Sequence, residues 1–373
     1  MIRSKFKYPT CLAAIFFSLS VLDGGLVAQS ADTARLDEAQ ALMAQPLEVV
    51  LFRNGTQSKM RLMGIENEQI IFQVGNQNGE ASIPLGQLGD VSFRIETDNQ
   101  YNKAIGSVGN ETLNPLELEL IRQRNYPMVR FLPIPRENSI FHEAVKKLFE
   151  ALIQLEDYEE AVQLLQNLDI NNLDPDYEAL AIELSADLAE AENYALASQA
   201  LQGIPIESIN LENLNIALET AGIIRDNENY EDAKALYDRL AKNLEVPNQE
   251  PEFWSDYCGI YLGLFEEDHL FRQKVERTTP GESLFSLQQL ILGTYYLQRK
   301  QYPRAMKTIS EGVAYARPID SWTAELMYRS GVAYEAMDEK RTAAAVYDET
   351  AKFFPNSSWA SLAREAYQRI QLN

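Results

Sequence analysis

The chain has 373 residues, 46% apolar and 24% charged, a balance that supports a packed core and excludes a low-complexity chain. Its formal net charge of −22 sets it against phosphate backbones and anionic lipid, so nucleic acid is not an expected partner, and basic or neutral protein surfaces suit it better. Two cysteines, Cys11 and Cys258, exclude a disulfide framework, which leaves stability to packing.

Residues 1–28 read as a secretory signal peptide. Arg3, Lys5 and Lys7 make a basic end, Leu12 to Leu22 an apolar run, and Leu26-Val27-Ala28 a small-residue site. Cleavage is expected after Ala28, with Ser30 as the second choice. The apolar run is far shorter than the ~20 residues that span a bilayer. Cys11 precedes that run and does not fit a lipid-anchor signal. The expected product is exported to a periplasmic or extracellular space, has no stable membrane insertion, and keeps Cys258 as a lone buried thiol.

Residues 29–45 read as a short helix, with Leu36, Ala39 and Met43 at helical spacing. From 46 to 96 the pattern changes to period two. Leu47 to Phe52 ends at Asn54-Gly55, a strong hairpin signal. Alternating runs come next, around Met60 to Ile65, Ile70 to Val74, Ser82-Ile83 and Val91 to Ile95. A helix and five short strands resemble a small Sm-like or SH3-like β-barrel. Such barrels bind RNA or proline-rich peptides elsewhere. Residues 46–96 carry four cations against six carboxylates and have no basic stripe, so a docking or structural module is expected.

Residues 97–138 read as a linker with one short helix. Thr97 to Thr112 is polar, and Asn114-Pro115 opens a helix through Arg124. Met128 to Leu132 reads as an extended apolar piece among prolines, lying against the first helix pair.

Residues 139–356 are organised by a recurring phrase, Tyr-x-x-Ala, at Tyr158, Tyr194, Tyr230 and Tyr302. The spacings are 36, 36 and twice 36, the mark of a stacked helical-repeat array. Gly331, Tyr334, Ala343, Tyr347 and Pro355 are spaced 3, 9, 4 and 8, and Gly293, Tyr296, Ala305 and Ile309 keep the same frame. So do Ala161, Ala197 and Ala233 with their neighbours. These spacings resemble the tetratricopeptide repeat. The expected fold is mainly α: a solenoid of about six helix pairs, with residues 357–373 as a capping helix and the β-barrel ahead of the repeats.

Small residues belong where two helices cross. Ala161, Ala197, Ala233, Ala305, Ala343, Gly293 and Gly331 are therefore the expected packing positions. Residues 251–278 should hold a degenerate fourth repeat, with Trp254, Tyr257, Cys258 and Tyr261 on its first helix and Leu270 where alanine is expected.

No catalytic motif is present, and no cofactor or metal is expected. His142 and His269 are too few and too far apart, and Glu266 to His269 reads as a helix-start cluster. The resemblance implies a non-enzymatic protein whose concave face, built by first helices, holds another protein. The matching positions are Lys146, Glu150, Arg225, Asp226, Tyr328 and Glu335. With the export signal, the expected function is a scaffold or adaptor for an envelope or secreted protein. The alternative is an accessory component of a cell-envelope assembly or of a cell-wall or polysaccharide-processing enzyme system.

Overall fold

A computed structural model describes residues 34–74, 79–110, 112–168, 175–206, 209–243, 249–265 and 268–372. The signal peptide expected over 1–28 lies outside the described residues. The chain divides into two units, residues 1–164 and 165–373.

In the first unit helix α1 (34–43) buries Ala39 and Leu42 and leads into five strands. These are β1 (Leu47–Arg53), β2 (Thr56–Glu66), β3 (Gln69–Val74), β4 (Glu80–Pro84) and β5 (Ser92–Arg94). They form one antiparallel sheet in the order β4-β3-β2-β1-β5. Asn54 and Gly55, at φ 48° and 74°, supply the two positive-φ residues that a two-residue hairpin turn matching the strand twist requires. Leu47, Val49, Leu51, Met60, Leu62, Phe72 and Phe93 point to the buried face, as period two dictates.

The expected barrel is not closed. β4 and β5 are the edges of an open sheet, and β5 is only three residues long. Pro84, the last residue of β4, has no amide to donate to a further strand.

Residues 97–138 are more ordered than a linker with one helix. Asp98 accepts from the Tyr101 amide at 2.8 Å and caps α2 (Asn99–Ser107), which buries Tyr101 and Ala104. Asn114 caps α3 (Pro115–Asn125) through the amides of Leu116 and Glu117. The piece expected to be extended is a 3-10 helix, Tyr126–Phe131, with Met128 and Phe131 fully buried. Pro127 fits there because the first turn of a helix needs no amide.

Side chain to backbone bonds fasten these segments to the sheet. Arg130 donates to the carbonyls of Ala44 and Gln45, and Asn138 Nδ2 to that of Val91 at 2.6 Å. Inside, Arg122 Nε donates to Glu160 Oε1 at 2.8 Å, and the Tyr126 hydroxyl donates to the same oxygen at 2.5 Å. Both charged partners are about 95% buried. The unit closes with α4 (Phe141–Gln154) and the start of α5 (Tyr158–Gln166).

The second unit continues with α6 (Pro175–Glu190), α7 (Tyr194–Ala200), α8 (Leu211–Asp226), α9 (Tyr230–Leu240) and α10 (Glu250–Tyr261). Then come α11 (Asp268–Val275), α12 (Phe285–Gln298), α13 (Tyr302–Tyr315), α14 (Thr323–Ala336), α15 (Lys340–Phe353) and α16 (Ser358–Leu372). Counting α4 and α5, the described residues hold six helix pairs in chain order and a closing helix. Within this unit α6 packs on α7 and α8, α12 on α13, α14 on α15, and α15 on α16.

Every first helix ends in the same turn. Glu156, Glu192, Glu228, Lys300 and Asp338 take φ between 58° and 65°, and Gly263 takes that place in the fourth pair at 70°. The next amide reaches back five residues: Asp157 to Leu152, Asn193 to Leu188, Asn229 to Ile224, Leu264 to Gly259, Gln301 to Tyr296 and Glu339 to Tyr334, all at 2.8–3.2 Å. This is the Schellman motif, which satisfies carbonyls that a helix end leaves orphaned. The turn residue stands two before Tyr158, Tyr194, Tyr230 and Tyr302, so the tyrosine period reports a backbone event. A non-glycine residue in that conformation is strained. Glu192→Gly is expected to stabilise the protein by about 0.5–1 kcal/mol after the entropy of glycine in the unfolded chain is deducted. A lowered urea midpoint would contradict this.

Ala161, Ala197, Ala233, Ala305 and Ala343 are all completely buried. A Cβ added at Gly293 would collide with Ile309 Cγ1. Ser185, at the small-residue position of α6, donates to the Ala197 carbonyl at 2.7 Å and so keeps its hydroxyl satisfied at the crossing. On α16 the buried stripe is Ala360, Ala363 and Ala366, whereas Leu362 is 41% exposed.

Candidate functional site

The six positions carried over from the family resemblance fall in two places. Lys146 and Glu150 lie half-buried on α4 in the first unit, where Lys147 Nζ donates to Glu150 at 2.8 Å. The other four belong to the second unit, and their side chains are engaged within it. Arg225, at the end of α8, lays its guanidinium 3.6 Å from the Trp254 ring centroid and makes paired bonds to Asp226 Oδ1 at 2.9 and 2.6 Å. Tyr328 packs against Tyr347 and Trp359, with ring centroids 5.6 and 5.4 Å away. Glu335 accepts from the Tyr347 hydroxyl at 2.9 Å and from Arg369 at 2.7 Å.

Between these residues is a buried hub that the sequence pattern did not single out. Glu325, one turn before Arg329 on α14, is fully buried. Its Oε1 accepts from the Tyr257 hydroxyl at 2.5 Å and from Arg329 Nε at 2.8 Å, and Arg329 Nη2 donates to the Tyr257 oxygen at 2.6 Å. Arg329 also sits 5.8 Å from the Tyr261 ring and 5.3 Å from the Trp359 ring. Tyr230 stacks on Tyr261 at 4.2 Å, and Trp254 meets Trp322 edge-on at 6.4 Å.

The hub therefore clasps α10 to α14, the first helices of alternate pairs. Cation–π contacts and charge-assisted hydrogen bonds are strong where water is excluded. The arrangement fixes the placement of α10 against α14, while at its edge Asp226 stays exposed and Tyr328 and Glu335 half-buried. The sequence signal for the hub was slight, a Glu–Arg pair at i,i+4 that looks the same on a solvated helix.

Burial governs titration here. It pushes the Asp226 carboxyl up, with Arg225 opposing, and it pushes up Glu250 and Asp256 as well. It raises the Cys258 thiol to about 12. For a carboxyl whose folded pKa exceeds its unfolded value, ionisation costs stability. That cost is complete above the folded pKa and disappears as pH falls towards the unfolded value. Glu117 and Asp238 are shifted down: the Lys103 hydrogen bond lowers Glu117, and bonds from Lys234 and Ser255 outweigh burial at Asp238. Their contributions are lost only as pH falls through those depressed values. Approaching the pI of 4.6 also relieves the repulsion within a chain of net charge −22. The melting temperature is expected to rise as pH is lowered from neutral towards the pI of 4.6. A fall over that interval, measured at constant ionic strength, would refute the assignment.

In the first unit a cleft of about 840 Å³ lies beside β1 and β2, bordered by Pro46, Lys59, Arg61, Gln123, Arg124 and Pro127. Its three cations, Lys59, Arg61 and Arg124, face Glu48 and Glu96, and Lys59 pairs with Glu96 at 2.6 Å, so the net charge is only +1 (three less two). Among the described residues no group of three or more His, Cys, Asp or Glu is placed to hold a metal. The Glu266 to His269 cluster lies partly outside them. No described helix is long and apolar enough to cross a membrane.

Residues 325–357, which cover nearly all of α14 and α15, match the tetratricopeptide repeat family model. No curated protein matches the chain. The match covers the helix pair whose glycine, alanine and tyrosine positions are best kept; the other pairs share its turn, and all but the fourth share its buried alanine. Together these observations fit a tetratricopeptide-repeat protein with a small five-stranded antiparallel sheet ahead of its helix pairs.

Proposed function

We propose that the protein is an exported, non-enzymatic scaffold whose repeat array holds another envelope or secreted protein, with the sheet module as a second contact. The observation that carries this reading is the helix-pair array with its repeat match at 325–357, since arrays of this family are generally protein-interaction modules. Export rests on the basic, apolar and small-residue order of residues 1–28. First-helix surface open to a partner lies around α8, where Asn215 is exposed and Leu218 and Gly222 are half-buried.

A photo-crosslinking residue at Asn215 tests the reading, with Arg341 on α15 as the control position; both side chains are exposed. The expected result is one saturable adduct with an exported protein from position 215 and none from 341. Adducts equally abundant from both positions, or none from either, would overturn it. Capture of a cell-wall or polysaccharide-processing enzyme would place the scaffold in that system.

A further inference from the structure

The fourth helix pair is the irregular one, and its irregularity makes a cleft. Helix α11 has eight residues, whereas α13 and α15 have 14 each. Beside this short second helix a cleft of about 520 Å³ opens between α11 and α13, over a face of α12 whose side chains stay largely buried. Its floor is mixed: Phe285, Leu292 and Tyr296 alternate with Gln288 and Gln289 of the same helix, all more than 90% buried. Its rim carries Arg272 from α11 and Arg304 and Lys307 from α13, with Glu276 and Glu311 as the two acids.

The charge around this cleft reverses that of the chain. The cleft itself is lined by Arg272, Arg304 and Lys307 against Glu276 and Glu311, a net of +1 (three less two), and residues 269–311 hold seven Lys and Arg against three Glu, a net of +4 (seven less three), whereas the whole chain carries −22. Of those seven, Lys274 and Arg277 turn to Asp256 on α10, and Arg299 turns to the Phe265 carbonyl. Arg272, Arg304 and Lys307 stand at the rim. Arg272 pairs with Glu276 at 2.6 Å, an exposed i,i+4 pair that a stronger acceptor can replace at small cost. Arg304 stands 6.0 Å from the Tyr296 ring, at the edge of the floor.

We propose that the cleft between α11 and α13 is a docking site for a short acidic segment of a partner protein, with an aromatic or leucine side chain on the floor and carboxylates on the rim cations. Charge complementarity selects this occupant. An acidic segment is repelled by most of this chain and attracted here, which concentrates it at one place. The volume is within the range of small-ligand pockets and suits a few residues, not a folded domain. A nucleic acid or an anionic membrane extends beyond the cleft onto acidic surface. The proposal does not depend on the first-helix surface around α8, so either reading can fail alone.

The test is fluorescence anisotropy of a labelled Asp-Glu-Phe-Asp-Leu-Glu peptide with the purified full-length protein at low and physiological salt. Saturable binding is expected, weakened several-fold by salt and at least tenfold by the R304E/K307E double variant. Both rim positions are exposed, and an unchanged melting curve confirms that the variant folds. Lys307→Glu alone should weaken binding by a smaller factor. The proposal is overturned if the peptide does not bind, if its Lys-substituted counterpart binds equally well, or if the double variant retains full affinity. Displacement of the peptide by an oligothymidylate or by phosphatidylglycerol vesicles at lower concentration would also overturn it, in favour of a polyanion or lipid site.

Discussion

Replacing Glu325 with alanine is expected to cost about 3–5 kcal/mol, because breaking a buried ion pair leaves its partner charged and unsolvated. The residue is completely buried, and one of its oxygens serves both the Tyr257 hydroxyl and Arg329 Nε. Without the carboxylate, Arg329 keeps the Tyr257 oxygen at 2.6 Å and the ring faces of Tyr257, Tyr261 and Trp359. Ring quadrupoles recover part of the loss, which favours the lower end of the range. The pair is not a net source of stability over apolar packing. A triple variant, E325L/R329M/Y257F, is therefore expected to lose far less than E325A alone.

Urea midpoints measure both changes, and Cys258 gives a local reading. This thiol adjoins Tyr257, is fully buried and is raised to about 12, so it is unreactive at neutral pH while α10 stays packed. Thiol labelling should accelerate in E325A and remain slow in the triple variant. An E325A protein within about 0.5 kcal/mol of the parent would show that the hub is not under tension from burial.

How much of the molecule is legible in the sequence depends on the range of each interaction. The tyrosine period was legible because a left-handed residue must end each first helix two positions earlier, and that turn is a local event at Glu156, Glu192, Glu228 and Lys300. The buried alanines were legible because a close helix crossing demands a small side chain at a fixed offset. The strands were legible from alternation, with Asn54-Gly55 marking the first hairpin, but closure of the sheet depends on whether β4 meets β5. Nothing within either short run decides that.

Helix α2 was missed because Asn99 to Ser107 is polar, and its stability comes from the Asp98 cap and from the burial of Tyr101 and Ala104, not from an apolar stripe. The hub was hidden for another reason. Tyr257 and Glu325 are 68 residues apart, and only the stacking of the fourth, fifth and sixth helix pairs brings them together. Arg225, Asp226, Tyr328 and Glu335 were read as groove positions because family offsets specify which helix flank a residue occupies. They do not specify the contacts a side chain makes there, such as Arg225 on the Trp254 ring or Glu335 with Tyr347 and Arg369.

Gly331→Ala is expected to destabilise by about 1–3 kcal/mol, the reverse of what helix propensity alone gives. Alanine inside a helix is better than glycine by about 1 kcal/mol. At this position, however, an added Cβ would lie 2.5 Å from Tyr347 Cε1 and 2.7 Å from Cδ1. The ring cannot retreat. It is completely buried, packed with Ala343, Ala363 and Ala366, and its hydroxyl is tied to Glu335 at 2.9 Å.

Gly222→Ala on α8 is the matched control, since its new Cβ would meet only the Tyr237 hydroxyl at 3.9 Å. That variant should gain about 0.5–1 kcal/mol. Opposite signs for one substitution in two first helices would isolate packing from propensity. If both variants are stabilised, the ring of Tyr347 has room to move, and close approach of α14 to α15 does not set the register of the last pair.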